Sequence, residues 1–98
     1  MDLIERLAAI EEIKRLKARY FRCLDTKDWD GFTDVFSRDA VLDVSDEVAT
    51  SDDPDAGVVR GNAELTQYVR SSIDDVVTVH HGHMPEIEVV TPTTAAGI

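Results

Sequence analysis

The chain contains little that could lock it covalently, hold it on a polyanion or bury it in a bilayer. Its one cysteine, Cys23, excludes an internal disulfide and fits a reducing compartment. Phe21 and Leu24 flank that thiol, so buried filler is expected rather than a reactive nucleophile. Lys and Arg together number 10 against 20 Asp and Glu, a formal charge of −10 that argues against a nucleic-acid or anionic-membrane partner. A solvated acidic surface is the ordinary reading of such a balance. No apolar run approaches the roughly 20 residues of a membrane span. No signal-peptide pattern opens the chain either, and a soluble cytoplasmic protein is expected. A glycine-rich phosphate loop, a Cys-x-x-Cys pair and a nucleophile elbow are all missing, which leaves phosphoryl transfer and covalent serine or cysteine chemistry with little support. A hydrophobic share of 43% over 98 residues is ordinary for a globular protein and sufficient for one domain with an adequate core.

Periodicity divides the chain into an α-rich first part and a β-rich remainder. Leu3, Leu7, Ile10, Ile13, Leu16, Tyr20 and Leu24 recur at spacings of three and four, which predicts one long helix with an apolar stripe. Asp2 suits its N-cap, and Glu5 three positions on makes a capping-box-like pair. Asp28 can cap a second, short helix through Trp29, Phe32, Val35 and Phe36, with Gly31 weakening it. Ala40-Val41-Leu42-Asp43-Val44 reads as a strand and Val58-Val59-Arg60 as a shorter one. Between them, residues 45–56 hold five acids, a proline and only Val48 as a large apolar residue, which predicts a solvated loop. Gly61 supplies a turn and Asn62 an N-cap for a helix carrying Leu65, Tyr68 and Val69. Asp74-Asp75 follows its end. Val76-Val77-Thr78-Val79 and Ile87-Glu88-Val89-Val90 both read as strand, and Thr91-Pro92-Thr93-Thr94 reads as a turn into Ala95-Ala96-Gly97-Ile98. That order predicts an α+β fold with helices on one sheet face.

All three histidines fall in Val79-His80-His81-Gly82-His83-Met84-Pro85-Glu86. Histidine has an unperturbed pKa near neutrality, so the cluster points to proton transfer, metal ligation or a pH switch. Strand alternation puts His80 on one face and His81 with His83 on the other, unless Gly82 or Pro85 introduces a bulge. A metal site would use His81, His83 and Glu86. Glu86 stands one or two positions too early for the cupin spacing this resembles, and the surroundings are not those of a cupin. No metal or other cofactor is expected. Asp25, at the end of the long helix, faces the mildly unfavourable end of the macrodipole: either it bonds a partner such as a protonated histidine, or it merely begins the next turn with Thr26 and Lys27. Tyr20 lies on the apolar stripe, where a buried phenol ordinarily finds a hydrogen bond. Histidine, tyrosine and aspartate together point to general acid–base chemistry.

The phrases Ala9-Ile10-Glu11-Glu12-Ile13-Lys14-Arg15-Leu16, Tyr20-Phe21-Arg22-Cys23-Leu24-Asp25, Asp28-Trp29-Asp30 and the histidine segment through Ile87 resemble the SnoaL-like branch of the cone-shaped α+β superfamily. That superfamily includes nuclear transport factor two, scytalone dehydratase, ketosteroid isomerase, polyketide cyclases and bile-acid dehydratases. The resemblance implies a cystatin-like fold over residues 1–98, a curved antiparallel sheet wrapped around the N-terminal helices with an apolar pocket inside. By similarity to bile-acid dehydratases, Tyr20, Asp25 and His80 match the catalytic tyrosine, aspartate and histidine. Trp29, His83 and Met84 are implied in the substrate-binding wall. The implied activity is a cofactor-independent dehydratase, isomerase or cyclase acting on a small hydrophobic ring compound of steroid or polyketide type. The alternative is a noncatalytic ligand-binding or assembly module of the same fold. Members commonly form dimers or trimers. They also usually continue with a tryptophan-containing strand bearing another pocket acid and later an arginine, so those strands are expected to be missing or supplied by another chain.

Overall fold

The apolar stripe and the Asp2 cap form the helix their spacing predicts: α1 spans Leu3–Asp25, and the Asp2 carboxylate accepts the Glu5 N–H at 2.7 Å. The computed structural model describes residues 1–48 and 52–98. Helix α1 stops in a Schellman arrangement, with Lys27 in the left-handed region at φ 59°. The Asp28 N–H reaches the Cys23 carbonyl at 2.9 Å and the Lys27 N–H the Leu24 carbonyl at 3.3 Å. Asp28 then caps α2 (Trp29–Asp34) by accepting the Gly31 N–H at 3.0 Å. Gly31 is required there rather than merely tolerated, because a Cβ would come within 2.9 Å of Cys23 Sγ.

Strand β1 (Val41–Asp43) pairs antiparallel with β2 (Val58–Arg60), with Leu42 opposite Val59. Part of the expected solvated loop between them is a 3₁₀ turn, Ser45–Val48, while residues 49–51 of that loop lie outside the described residues. Helix α3 covers Asn62–Ile73. Its N-cap is Gly61, at φ 92°, not Asn62 as the sequence suggests. The Asn62 amide instead donates to the Thr33 and Phe36 carbonyls, each at 3.4 Å, so it ties α3 to the end of α2. Thr33 and Thr66 hydroxyls meet at 2.6 Å across the same junction. Strands β3 (Ile87–Thr91) and β4 (Thr94–Gly97) form a second antiparallel pair through the predicted turn, with a bulge between Val89 and Thr91. The fold is therefore α+β, with two short two-stranded sheets in place of one long curved sheet among the described residues.

The core lies where α1, α2 and α3 meet. Phe32 is fully buried, Cys23 is 1% exposed, and Leu24 and Leu65 pack with them. Rings of Tyr20 and Phe36 contact Phe32 at centroid distances of 5.4 and 5.2 Å. Cys23 is core filler, as its neighbours imply. The stripe of α1 is less buried than a core helix stripe: Leu3, Leu7 and Leu16 are exposed, and Ile10 and Ile13 are half-buried. Length explains this. A helix of 23 residues runs about 34 Å, whereas the five-residue β3 beside it covers about 17 Å. The radius of gyration, 15.3 Å, accordingly exceeds the roughly 12.6 Å typical of a chain this long.

A further expectation fails. Val76-Val77-Thr78-Val79 is not a strand, and residues 77–86, histidines included, have no regular secondary structure. β-Branched residues favour strands by packing on neighbours within a sheet, and this segment pairs with neither two-stranded sheet. Val77 and Val79 are 96% and 73% exposed. The alternation that assigned His80 and His81 to opposite sheet faces consequently has no sheet to act on.

Candidate active site

Side chains of α1, rather than a β-ladder, hold the histidine segment in place. Asp25, in the last turn of α1, accepts two bonds from His80: the backbone N–H at 2.8 Å and ring Nδ1 at 2.6 Å. The Thr78 hydroxyl donates to the same carboxylate at 2.8 Å. Lys27, turned back by the Schellman motif, donates from Nζ to the Thr78 hydroxyl at 3.3 Å. These donors offset the unfavourable placement of a carboxylate at a helix C-terminus. Bonding from the His80 ring, and next from its backbone N–H, holds the Asp25 carboxyl at about 2, below its ordinary 3.8; partial burial opposes the shift, and Thr78 and the His80 charge assist it.

The chemical consequence lies in the His80 ring. An ionised carboxylate can only accept, so Nδ1 carries the proton, and in the neutral imidazole Nε2 keeps a free lone pair. The ring is also stacked on Phe21, centroids 5.8 Å apart at 15°. Phe21 is packed in turn edge-to-face on Tyr20, centroids 5.5 Å apart. Burial raises the Tyr20 phenol above 10.0, so its hydroxyl remains protonated and able to donate at neutral pH. The imidazole is thus fixed by a carboxylate on one nitrogen and an aromatic face, and its side chain is 38% exposed.

Beside this dyad runs an apolar cleft of about 690 Å³. One wall comes from α1 through Ile13, Lys14, Lys17, Ala18 and Phe21. Gly82, His83, Pro85 and Ile87 face it, and Gly97 with Ile98 complete it. Gly82 has a definite role: a Cβ there would lie 2.5 Å from Phe21 Cε2. Gly82→Ala should therefore push the ring aside and disturb its stacking on His80. The clash is with the far end of a side chain, so the stability cost should fall at the low end of the about 1–3 kcal/mol usual for overpacking. Altered His80 imidazole resonances with a thermal midpoint lowered by only several degrees are the expected result.

Not every anticipated site residue converges here. His83 lines the cleft, but Met84 is 92% exposed and Trp29 lies elsewhere. Trp29 Nε1 donates to Asp74 at 3.0 Å with the Arg70 guanidinium 5.9 Å from the ring, so it joins α2 to the end of α3. None of Tyr20, Asp25 and His80 lines the cleft, Tyr20 being packed against the core cluster; Phe21 links the dyad to the cleft. Among the described residues, no group of histidines, cysteines and carboxylates converges as metal ligands would, so His81, His83 and Glu86 do not form such a set. No helix of the described chain is long and apolar enough to cross a membrane. Phe21, Lys27, Thr78 and Gly82 were not singled out from sequence. Thr78 had a signal, since it stands two residues from His80 and so shares its side of an extended segment.

The dyad also fixes a pH dependence. Because the folded-state pKa of Asp25 is depressed, its contribution is fully present above about 3.8 and is lost as pH falls through about 2. Thermal melts of wild type and Asp25→Asn should show a wild-type advantage at pH 6 that shrinks between those limits. A difference independent of pH would contradict the assignment.

A family model described as a SnoaL-like domain matches residues 5–98, a span that contains all but the first two residues of α1, the whole of α2 and α3, both strand pairs, Asp25 and His80. With nearly the whole chain matched, and with helices over short antiparallel sheets in an α+β arrangement, the protein belongs to the SnoaL-like domain family of the nuclear-transport-factor-two-like superfamily.

Proposed function

We propose that the protein is a cofactor-independent general acid–base enzyme of the dehydratase, isomerase or cyclase kind, acting on a small hydrophobic ring compound held in the α1 cleft. The observation that carries this reading is the 2.6 Å contact between His80 Nδ1 and Asp25 Oδ1. In the proposed step, His80 Nε2 removes a proton next to a carbonyl and returns it at another position or to a leaving hydroxyl. Asp25 stays ionised and stabilises the imidazolium that forms, as orienting carboxylates do. Tyr20 donates to the oxygen on which charge develops. The cleft volume falls within the usual range for small-ligand sites, and its walls are mainly apolar. A cytoplasmic dimer or trimer fits this reading.

The test uses β-tetralone, a bicyclic ketone with acidic ring protons, in D2O, with deuterium uptake followed by proton NMR. The protein should accelerate uptake above the buffer rate in a saturable way. Uptake at the buffer rate, despite saturable binding of the ketone, would instead support a noncatalytic binding module. One observation favours that second reading: His80 does not line the cleft, and the Phe21 ring is the link between them.

A further inference from the structure

The cleft has a charge character opposite to that of the chain. Acids outnumber Lys and Arg by 20 to 10, yet no aspartate or glutamate lines the cleft. Lys14 and Lys17 do, three residues apart on one face of α1. Lys17 is held in place by aromatic rings: its Nζ lies 4.5 Å from the Tyr20 centroid and 4.9 Å from that of Phe21. Among the described residues no carboxylate pairs with it. Lys14 has only a long contact with Glu11, 3.9 Å between half-exposed groups. An exposed pair of that kind is weak and can be exchanged for a ligand anion at little cost. His83, across the cleft, offers a ring N–H in either tautomer.

We infer that the ligand of this cleft is an amphiphilic anion, a flat apolar ring body carrying a carboxylate or sulfonate group. The ring would lie against Ile13, Phe21 and Ile87, and the acidic group would meet Lys14 and Lys17. This rests on the reading of the cleft as the ligand site and adds the charge class of what enters it. An uncharged ring compound would gain nothing from the exposed Lys17 ammonium, whereas an acid satisfies both wall chemistries at once. In a protein of charge −10 such a local cationic wall also opposes the overall field that would repel the acid.

The test compares two probes sharing one ring skeleton, anilinonaphthalene sulfonate and the uncharged N-phenylnaphthylamine, by fluorescence titration of the full chain. Wild type should bind the sulfonate more tightly than the neutral probe, and added salt should weaken only the sulfonate. Lys17→Gln should reduce sulfonate affinity by about threefold to tenfold, the scale of losing one partly exposed charge contact, and leave the neutral probe unchanged. Lys17→Arg should retain most of the affinity. Equal affinities for the two probes in wild type, or a sulfonate affinity indifferent to both salt and Lys17→Gln, would overturn the inference while leaving the cleft a ligand site. Saturable binding of neither probe would remove the cleft reading itself. Should Lys17→Gln fail to melt like wild type, the salt dependence of the wild-type protein decides alone.

Discussion

Replacing His80 with alanine should lower deuterium uptake by β-tetralone about 10²–10⁴-fold, the range over which a positioned general base contributes. The melting temperature should change little. The segment is anchored partly through the His80 backbone N–H, 2.8 Å from Asp25, and through Thr78, also 2.8 Å away, and both bonds survive the substitution. Activity and stability are therefore separable at this residue. Asp25→Asn should give the complementary pattern. The amide can still hold the segment, but it no longer stabilises an imidazolium, and it can present its NH2 group to Nδ1 and favour the other tautomer. A loss of activity smaller than that of His80→Ala, with a lower melting temperature above pH 3.8, is expected. Uptake unchanged in His80→Ala would take His80 out of the chemistry.

The second large effect is structural. Phe32→Ala empties the centre of the cluster that α1, α2 and α3 share, where Phe32 has no exposed surface. Such a truncation costs about 3–5 kcal/mol. A domain this size holds only about 5–15 kcal/mol in total. Much of the α1 stripe is exposed, so little other apolar packing compensates. The midpoint should fall by more than roughly 12 °C, at about 4 °C or more per kcal/mol. The variant should lose ligand binding as well, because Tyr20 packs on Phe32 and Phe21 packs on Tyr20. A thermal melt followed by near-ultraviolet circular dichroism measures this. A midpoint within a few degrees of wild type would mean that the core lies elsewhere.

What the sequence disclosed follows from how local each signal is. The α1 stripe, the Asp2 and Asp28 caps and the turn at Thr91 to Thr94 depend on residues close in the chain, and all form as expected. A partner for Asp25 was one of two readings open from sequence, because a carboxylate at a helix C-terminus is mildly unfavourable yet can also simply begin the next turn. Four features were not legible. Val76 to Val79 has strand composition, but a strand requires a neighbour, and pairing is a property of the whole sheet. Asn62 and Gly61 both suit an N-cap; the choice fell to Gly61 because the Asn62 amide is used by the α2 carbonyls. The cleft walls join positions as distant as Ile13 and Ile98, and Lys14 and Lys17 read from sequence as ordinary solvated charge beside an apolar stripe. Likewise Trp29, which lies within a family-like phrase, was drawn to α3 by Asp74 and Arg70 rather than to the cleft.

The most direct test of the dyad needs no substrate. Long-range proton–nitrogen correlation NMR on uniformly labelled protein, at a pH where the imidazoles are neutral, reports which nitrogen of each histidine bears the proton. The account predicts that His80 is protonated at Nδ1 and free at Nε2, and that Asp25→Asn weakens or reverses this preference. His80 protonated at Nε2 in the wild-type protein would contradict it, since the nitrogen assigned to proton abstraction would then have no lone pair to offer.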